Sequence, residues 1–104
     1  MEKIKFLEEG ETLIARLLPE IDHHSARGMR EAIDEMLFKT SPVVLVLDFS
    51  EVKFMDSSGL GLIIGRSEIL RERGGEVKIT GLSNMLRRIV KLSGIEKIKN
   101  ITIT

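Results

Sequence analysis

Cysteine is absent from this 104-residue chain. Without a thiol there is no disulfide framework, no cysteine-ligated zinc ribbon and no thiol nucleophile. An excess of either charge is missing too, since 16 basic and 16 acidic residues balance. Non-specific binding to nucleic acid draws on a basic excess that displaces counterions, so no nucleic-acid partner is expected. Long apolar runs are also lacking. Val43–Leu47 and Leu62–Ile64 stand out, yet a bilayer crossing takes about 20 apolar residues, so no membrane association is expected. The first ten residues carry three glutamates and two lysines, which suits neither a secretory signal nor a transit peptide. What is present is globular: 42% apolar and 31% charged residues. A chain of this length buries roughly two-thirds of its unfolded surface, enough for one domain without staples. The expectation is a single soluble, cytoplasmic domain over residues 1–104.

Periodicity supplies the elements. Lys3–Glu8 places Ile4 and Phe6 on one side, a period of two, and Glu9-Gly10-Glu11 turns the chain into a second strand, Thr12–Leu18, so the two are expected to pair as a hairpin. Pro19 stops that strand. Ala26, Met29, Ile33, Met36 and Leu37 recur at helical spacing, with Ser25 as the expected N-cap. Val43–Phe49 is a continuous aliphatic run, the pattern of a strand covered on both faces. Ser50–Asp56 connects it to a second helix, Ser58–Arg73, expected to bury Leu60, Ile63, Ile64, Ile69 and Leu70 and to solvate Arg66, Glu72 and Arg73; Gly74-Gly75 ends it, as glycine suits a helix exit. Val77–Thr80 forms a strand, Ser83 caps a third helix, Asn84–Ser93, buried through Leu86, Ile89 and Val90, and Ile98–Thr104 is a weaker final strand. The order is ββαβαβαβ. Single helices between strands predict an α/β fold with a mixed, mostly parallel sheet, the first strand being the antiparallel exception.

Ligand sites of such sheets lie at the carboxyl ends of the parallel strands. Two segments converge there, Glu20–Ser25 and Phe54–Gly59, and three of the four aspartates, Asp22, Asp48 and Asp56, fall at this edge. Helix capping accounts for part of that clustering, because caps favour aspartate and serine. Gly59-Leu60-Gly61 with Gly65 invites a dinucleotide reading, but the third glycine comes one position late and nine residues separate Phe49 from Gly59. Close helix–sheet packing explains these glycines better than a G-x-G-x-x-G turn. His23-His24 provides no metal site, since adjacent side chains diverge and no second cluster supplies ligands. Ser57 or Ser58 with His23 or His24 would make a hydrolase only if a base were oriented on the hydroxyl, and no G-x-S-x-G elbow is present. No catalytic residue, cofactor or metal ligand is therefore assigned. Arg87, Arg88 and Lys91 form a basic stripe on the third helix, by default a solvated face. What remains is Ser57 at a helix start, where the amides favour a negative group and a phosphate can be accepted without unfolding.

The run Leu45-Val46-Leu47-Asp48-Phe49-Ser50-Glu51-Val52-Lys53-Phe54-Met55-Asp56-Ser57-Ser58-Gly59-Leu60-Gly61 resembles the signature of the STAS domain family, and within it the bacterial anti-sigma factor antagonists of sporulation type. Asp22-His23-His24, Gly74-Gly75 and Leu92-Ser93-Gly94-Ile95 add to the match, which spans roughly residues 12 to 99. The resemblance implies a switch in place of an enzyme. The unphosphorylated antagonist binds an anti-sigma factor that is also a serine kinase, and a sigma factor is released. The kinase phosphorylates the serine after the motif aspartate, here Ser57, and a phosphoserine phosphatase restores it. The implied partner-binding residues are Asp22, Asp56, Ser57, Ser58 and Gly59. Two departures stand out: Pro19-Glu20 replaces a Gly-Glu pair and stiffens that segment, and the family's further helix after the last strand has no counterpart up to Thr104. The second departure predicts an exposed sheet edge or apolar patch, or a different partner set. STAS domains also serve as scaffolds and sensors, so the rival expectation is a module that binds a nucleotide or small anion at the Ser57 helix terminus.

Overall fold

The computed structural model describes residues 3–104; Met1 and Glu2, the start of the segment read for a leader, lie outside them. Strands β1 (Lys5–Glu9) and β2 (Thr12–Arg16) form the antiparallel hairpin. From β2 the sheet grows in one direction through β4 (Val44–Asp48), β6 (Glu76–Thr80) and β7 (Ile101–Ile103), every new pair parallel. The crossovers carry α1 (His23–Thr40), α2 (Ser57–Glu72) and α3 (Asn84–Leu92). Right-handed crossovers that all step the same way put all three helices on one face.

Burial follows from that topology. Leu13 and Ala15 of β2, Leu45 and Leu47 of β4, and Val77 and Ile79 of β6 are fully buried. They pack beneath Met29, Ile33 and Leu37 of α1, Leu62, Ile63 and Leu70 of α2, and Leu86 and Val90 of α3. Each fully buried Leu or Ile contributes roughly 1.5–3 kcal/mol. The opposite face is open. Leu7, Ile14, Val46, Lys78 and Thr102 lie in register across it, half-buried or exposed. The aliphatic run at Val43–Phe49 is therefore not covered on both faces: Val44 and Val46 point outward and only alternate residues reach the core. An apolar run reports the strand, but the direction of the crossovers decides which faces receive a helix.

Two helix faces also differ from their periodic reading. Arg66 is buried, not solvated, with its Nε 2.9 Å from Asp34 Oδ1 across the α1–α2 seam. The contact is ionic and too poorly aligned to be a hydrogen bond, so Arg66 Nε and Nη1 and Asp34 Oδ1 all lack a hydrogen-bond partner among the described residues. Burial pulls the guanidinium's pKa down, and Asp34 opposes that shift. Leu62 takes the core position expected of Ile64, which is 38% exposed. Gly74, at φ 72°, turns α2 back toward the sheet, and a β-carbon on Gly75 would overlap the Val43 carbonyl. A short 3-10 turn, Ile95–Lys97, precedes β7, so the final strand begins later than Ile98.

Candidate functional site

The two segments at the carboxyl edge are more ordered than their sequences suggest. Glu20–Ile21 forms β3 and Phe54–Met55 forms β5, a two-residue parallel pair with Glu20 opposite Phe54 and Ile21 opposite Met55. Backbone bonds extend it at both ends: Lys53 N–H donates to Pro19 O at 2.7 Å and Asp56 N–H to Ile21 O at 3.0 Å. Ile21 and Met55 anchor the pair in the core. Strands this short fall below any periodic signal, and the only trace in sequence is one apolar residue ahead of each aspartate. The bridge places Asp22 and Asp56 side by side at the starts of α1 and α2.

Both aspartates are extended in backbone and serve as N-caps. Asp22 Oδ1 accepts from Ser25 N–H at 2.7 Å, while Ser25 Oγ accepts from Asp22 N–H at 3.0 Å. This is a reciprocal capping box. Ser25 is thus its third helical residue and not the cap, because α1 starts three residues earlier than the apolar spacing indicates. Asp56 Oδ1 accepts from Ser58 N–H at 2.8 Å and from the Ser58 hydroxyl. Its other oxygen, Oδ2, accepts from His23 N–H at 3.2 Å, so one carboxylate satisfies amides of two helices. The Ser25 amide holds the Asp22 carboxyl below its ordinary pKa, and the Ser58 hydroxyl and amide do the same for Asp56.

The serines are not equivalent. Ser57 is the first residue of α2 and is exposed, and no hydrogen bond engages its hydroxyl among the described residues. Ser58 is half-buried and tied to Asp56. Neither hydroxyl bonds to His23 or His24, which are exposed in the first turn of α1; a nucleophile–base–orienter relay is not assembled. Gly59 is buried, and a β-carbon there would overlap Met55 Cγ and Sδ. Its contribution is to let α2 start directly on the β5 anchor. Gly61 and Gly65 have open space around their α-carbons, so close packing explains Gly59 alone. Asp48 lies at the end of β4 but serves its own turn: Oδ1 accepts from Ser50 N–H at 2.9 Å, and Oδ2 sits 3.4 Å from Arg16 Nε. Phe54, 52% exposed next to Ser57's segment, enters the sequence reading only as the start of Phe54–Gly59 and not as a site residue; unlike Val52 and Met55 of the same connector, it is not buried.

Among the described residues no three His, Asp or Glu side chains converge as metal ligands, and no helix is long and apolar enough to cross a membrane. What the edge offers is an exposed, unengaged serine hydroxyl beside two anchored carboxylates.

An anti-sigma F factor antagonist from Paenibacillus polymyxa is 37% identical over 89 residues, covering 86% of this chain and 76% of the relative. The solved structure of the anti-sigma factor antagonist SpoIIAA in its unphosphorylated form superposes with a TM-score of 0.82 at 27% identity, covering 98% of this chain and 88% of that one. The phosphorylated form of the Bacillus cell fate determinant SpoIIAA gives 0.74 at 27% identity, covering 98% and 91%. The sequence model of the STAS domain matches residues 3–104, and the chain belongs to the STAS domain family.

Proposed function

We propose that this protein is an anti-sigma factor antagonist whose hold on its partner is switched by phosphorylation of Ser57. The partner is an anti-sigma factor with serine-kinase activity; a phosphoserine phosphatase resets the switch, and the exchange releases a sigma factor in the cytoplasm. Asp22, Asp56, Ser57 and Ser58 form the surface on which the partner closes, and Gly59 supports it from beneath. The single observation that carries this reading is the contrast between the two serines: Ser57 has an exposed, unengaged hydroxyl, while Asp56 holds that of Ser58. The names of the curated relatives support the antagonist role, and the likeness to SpoIIAA in both phosphorylation states supports a phosphate that leaves the fold intact. A phosphate adds about −1.5 to −2 charge beside two fixed carboxylates, so complementarity to a docked partner is lost.

Incubation with the cognate anti-sigma factor and ATP, followed by peptide mapping, tests this directly. Label is expected on Ser57 alone, with partner affinity of the phosphoprotein reduced at least about tenfold. Phosphate on Ser58 or Ser25, or undiminished binding, would overturn the proposal.

A further inference from the structure

The third helix has more apolar surface than the core uses. Only Leu86 and Val90 are buried. At 3.6 residues per turn, Met85, Ile89 and Leu92 fall at i, i+4 and i+7 and make a second stripe beside the buried one. That stripe faces outward, with Met85 59%, Ile89 37% and Leu92 81% exposed. The periodic reading counted Ile89 as core; its position at the boundary of the two stripes explains the difference. Arg88 and Lys91 border the stripe on the side away from the core. The helix carries three basic side chains and no acidic one, although the whole chain is neutral. Arg87 is engaged, donating to the Thr104 carbonyl at 3.0 Å. Arg88 and Lys91 take part in none of the ion pairs among the described residues.

We propose that Met85, Ile89 and Leu92, edged by Arg88 and Lys91, form a docking surface for an acidic amphipathic helix of a partner protein, separate from the Ser57 site. Three observations select that occupant. A second copy docked α3 against α3 would bring Arg88 and Lys91 against their own counterparts, so like charges oppose it. A lipid surface attracts through many basic residues, and three on a nine-residue helix of a neutral protein, one of them already engaged, supply little. The apolar stripe covers two helical turns, the span that i, i+3 or i+4, and i+7 anchors of a partner helix occupy, and its free charge is of one sign along one edge.

The test uses a synthetic helix of about four turns, with leucines at those spacings and glutamates along one flank. It is titrated into the isotope-labelled chain and followed by amide shifts. Shifts confined to α3 are expected, with affinity falling at least about tenfold in the Arg88→Glu/Lys91→Glu chain. A peptide with lysines in place of the glutamates is expected to recover binding to that charge-reversed chain. Met85→Ser/Leu92→Ser, at exposed positions, is expected to abolish binding with an unchanged thermal midpoint. Binding no better than a scrambled peptide overturns the proposal, as do shifts centred on Ser57. So does a stripe that instead drives sedimentation with phosphatidylglycerol vesicles or self-association of the chain.

Discussion

The backbone amide of His23 donates to Asp56 Oδ2 at 3.2 Å, although the two are 33 positions apart in the chain. The residue that opens α2 thereby holds the first turn of α1, and the two helix starts behave as one unit. Ser57 stands on that shared base.

Acid should loosen the base before it affects the core. Asp22 and Asp56 are held below the ordinary aspartate value of 3.8 by hydrogen bonds that exist only in the folded chain. The unfolded chain therefore takes up these protons first as pH falls, and stability declines with it. Their stabilisation is complete above 3.8 and disappears as pH drops through the lower folded values. Urea midpoints from neutral pH down to about 2.5 should fall more steeply in wild type than in Asp22→Asn/Asp56→Asn. Parallel curves would contradict the assignment.

Asp22 can be tested for charge separately from capping. Asn preserves an acceptor for the Ser25 amide, and asparagine caps about as well as aspartate. Asp22→Asn is expected to keep the thermal midpoint close to wild type while weakening the anti-sigma factor complex severalfold. Asp22→Ala should lower both. An Asn variant that binds like wild type would reduce Asp22 to a cap.

Gly59 and Gly61 give opposite expectations two residues apart. Gly59→Ala drives a methyl group into Met55 and should cost about 1–3 kcal/mol. The cost should shrink in a Met55→Ala background, as expected for residues in contact. Gly61→Ala meets open space in the same helix and should stabilise by about 0.4–1 kcal/mol. Chemical denaturation measures all three.

The Arg66–Asp34 pair should behave asymmetrically. Removing Asp34 leaves a guanidinium only 8% exposed without its partner. Asp34→Ala is expected to cost about 1–2 kcal/mol, less than a fully buried pair because the Asp34 side chain is 43% exposed. Arg66→Met, which removes the buried charge and keeps the volume, should be near neutral. Equal losses would show that packing, not charge, sets the value of this seam.

Phosphorylated Ser57 should leave the far-ultraviolet circular dichroism unchanged, because a helix N-terminus tolerates an anion. Loss of helix signal on phosphorylation would point to refolding in place of a blocked surface.

The alternation of strands and helices, the antiparallel first pair and the carboxyl-edge location of the candidate residues were legible because each rests on local spacing. The β3–β5 bridge was not, since two residues carry no period and their pairing is decided by distant anchors, Ile21 and Met55. Arg66 shows the same limit from another side. Helical spacing marks it as one of several polar residues, and only the approach of Asp34 on α1 makes its burial tolerable. The choice between Ser57 and Ser58 became physical only once Asp56 was seen to hold the Ser58 hydroxyl.

The two-residue bridge also decides when in folding the site exists. Residues 20–21 can pair with 54–55 only in a chain whose β2, α1 and β4 bring both segments to the same edge. An unfolded chain carries the Asp-Ser-Ser-Gly sequence but not the paired aspartates and the assembled helix starts. Under the proposed function, a partner that reads both helix starts would engage only molecules whose first crossover is closed.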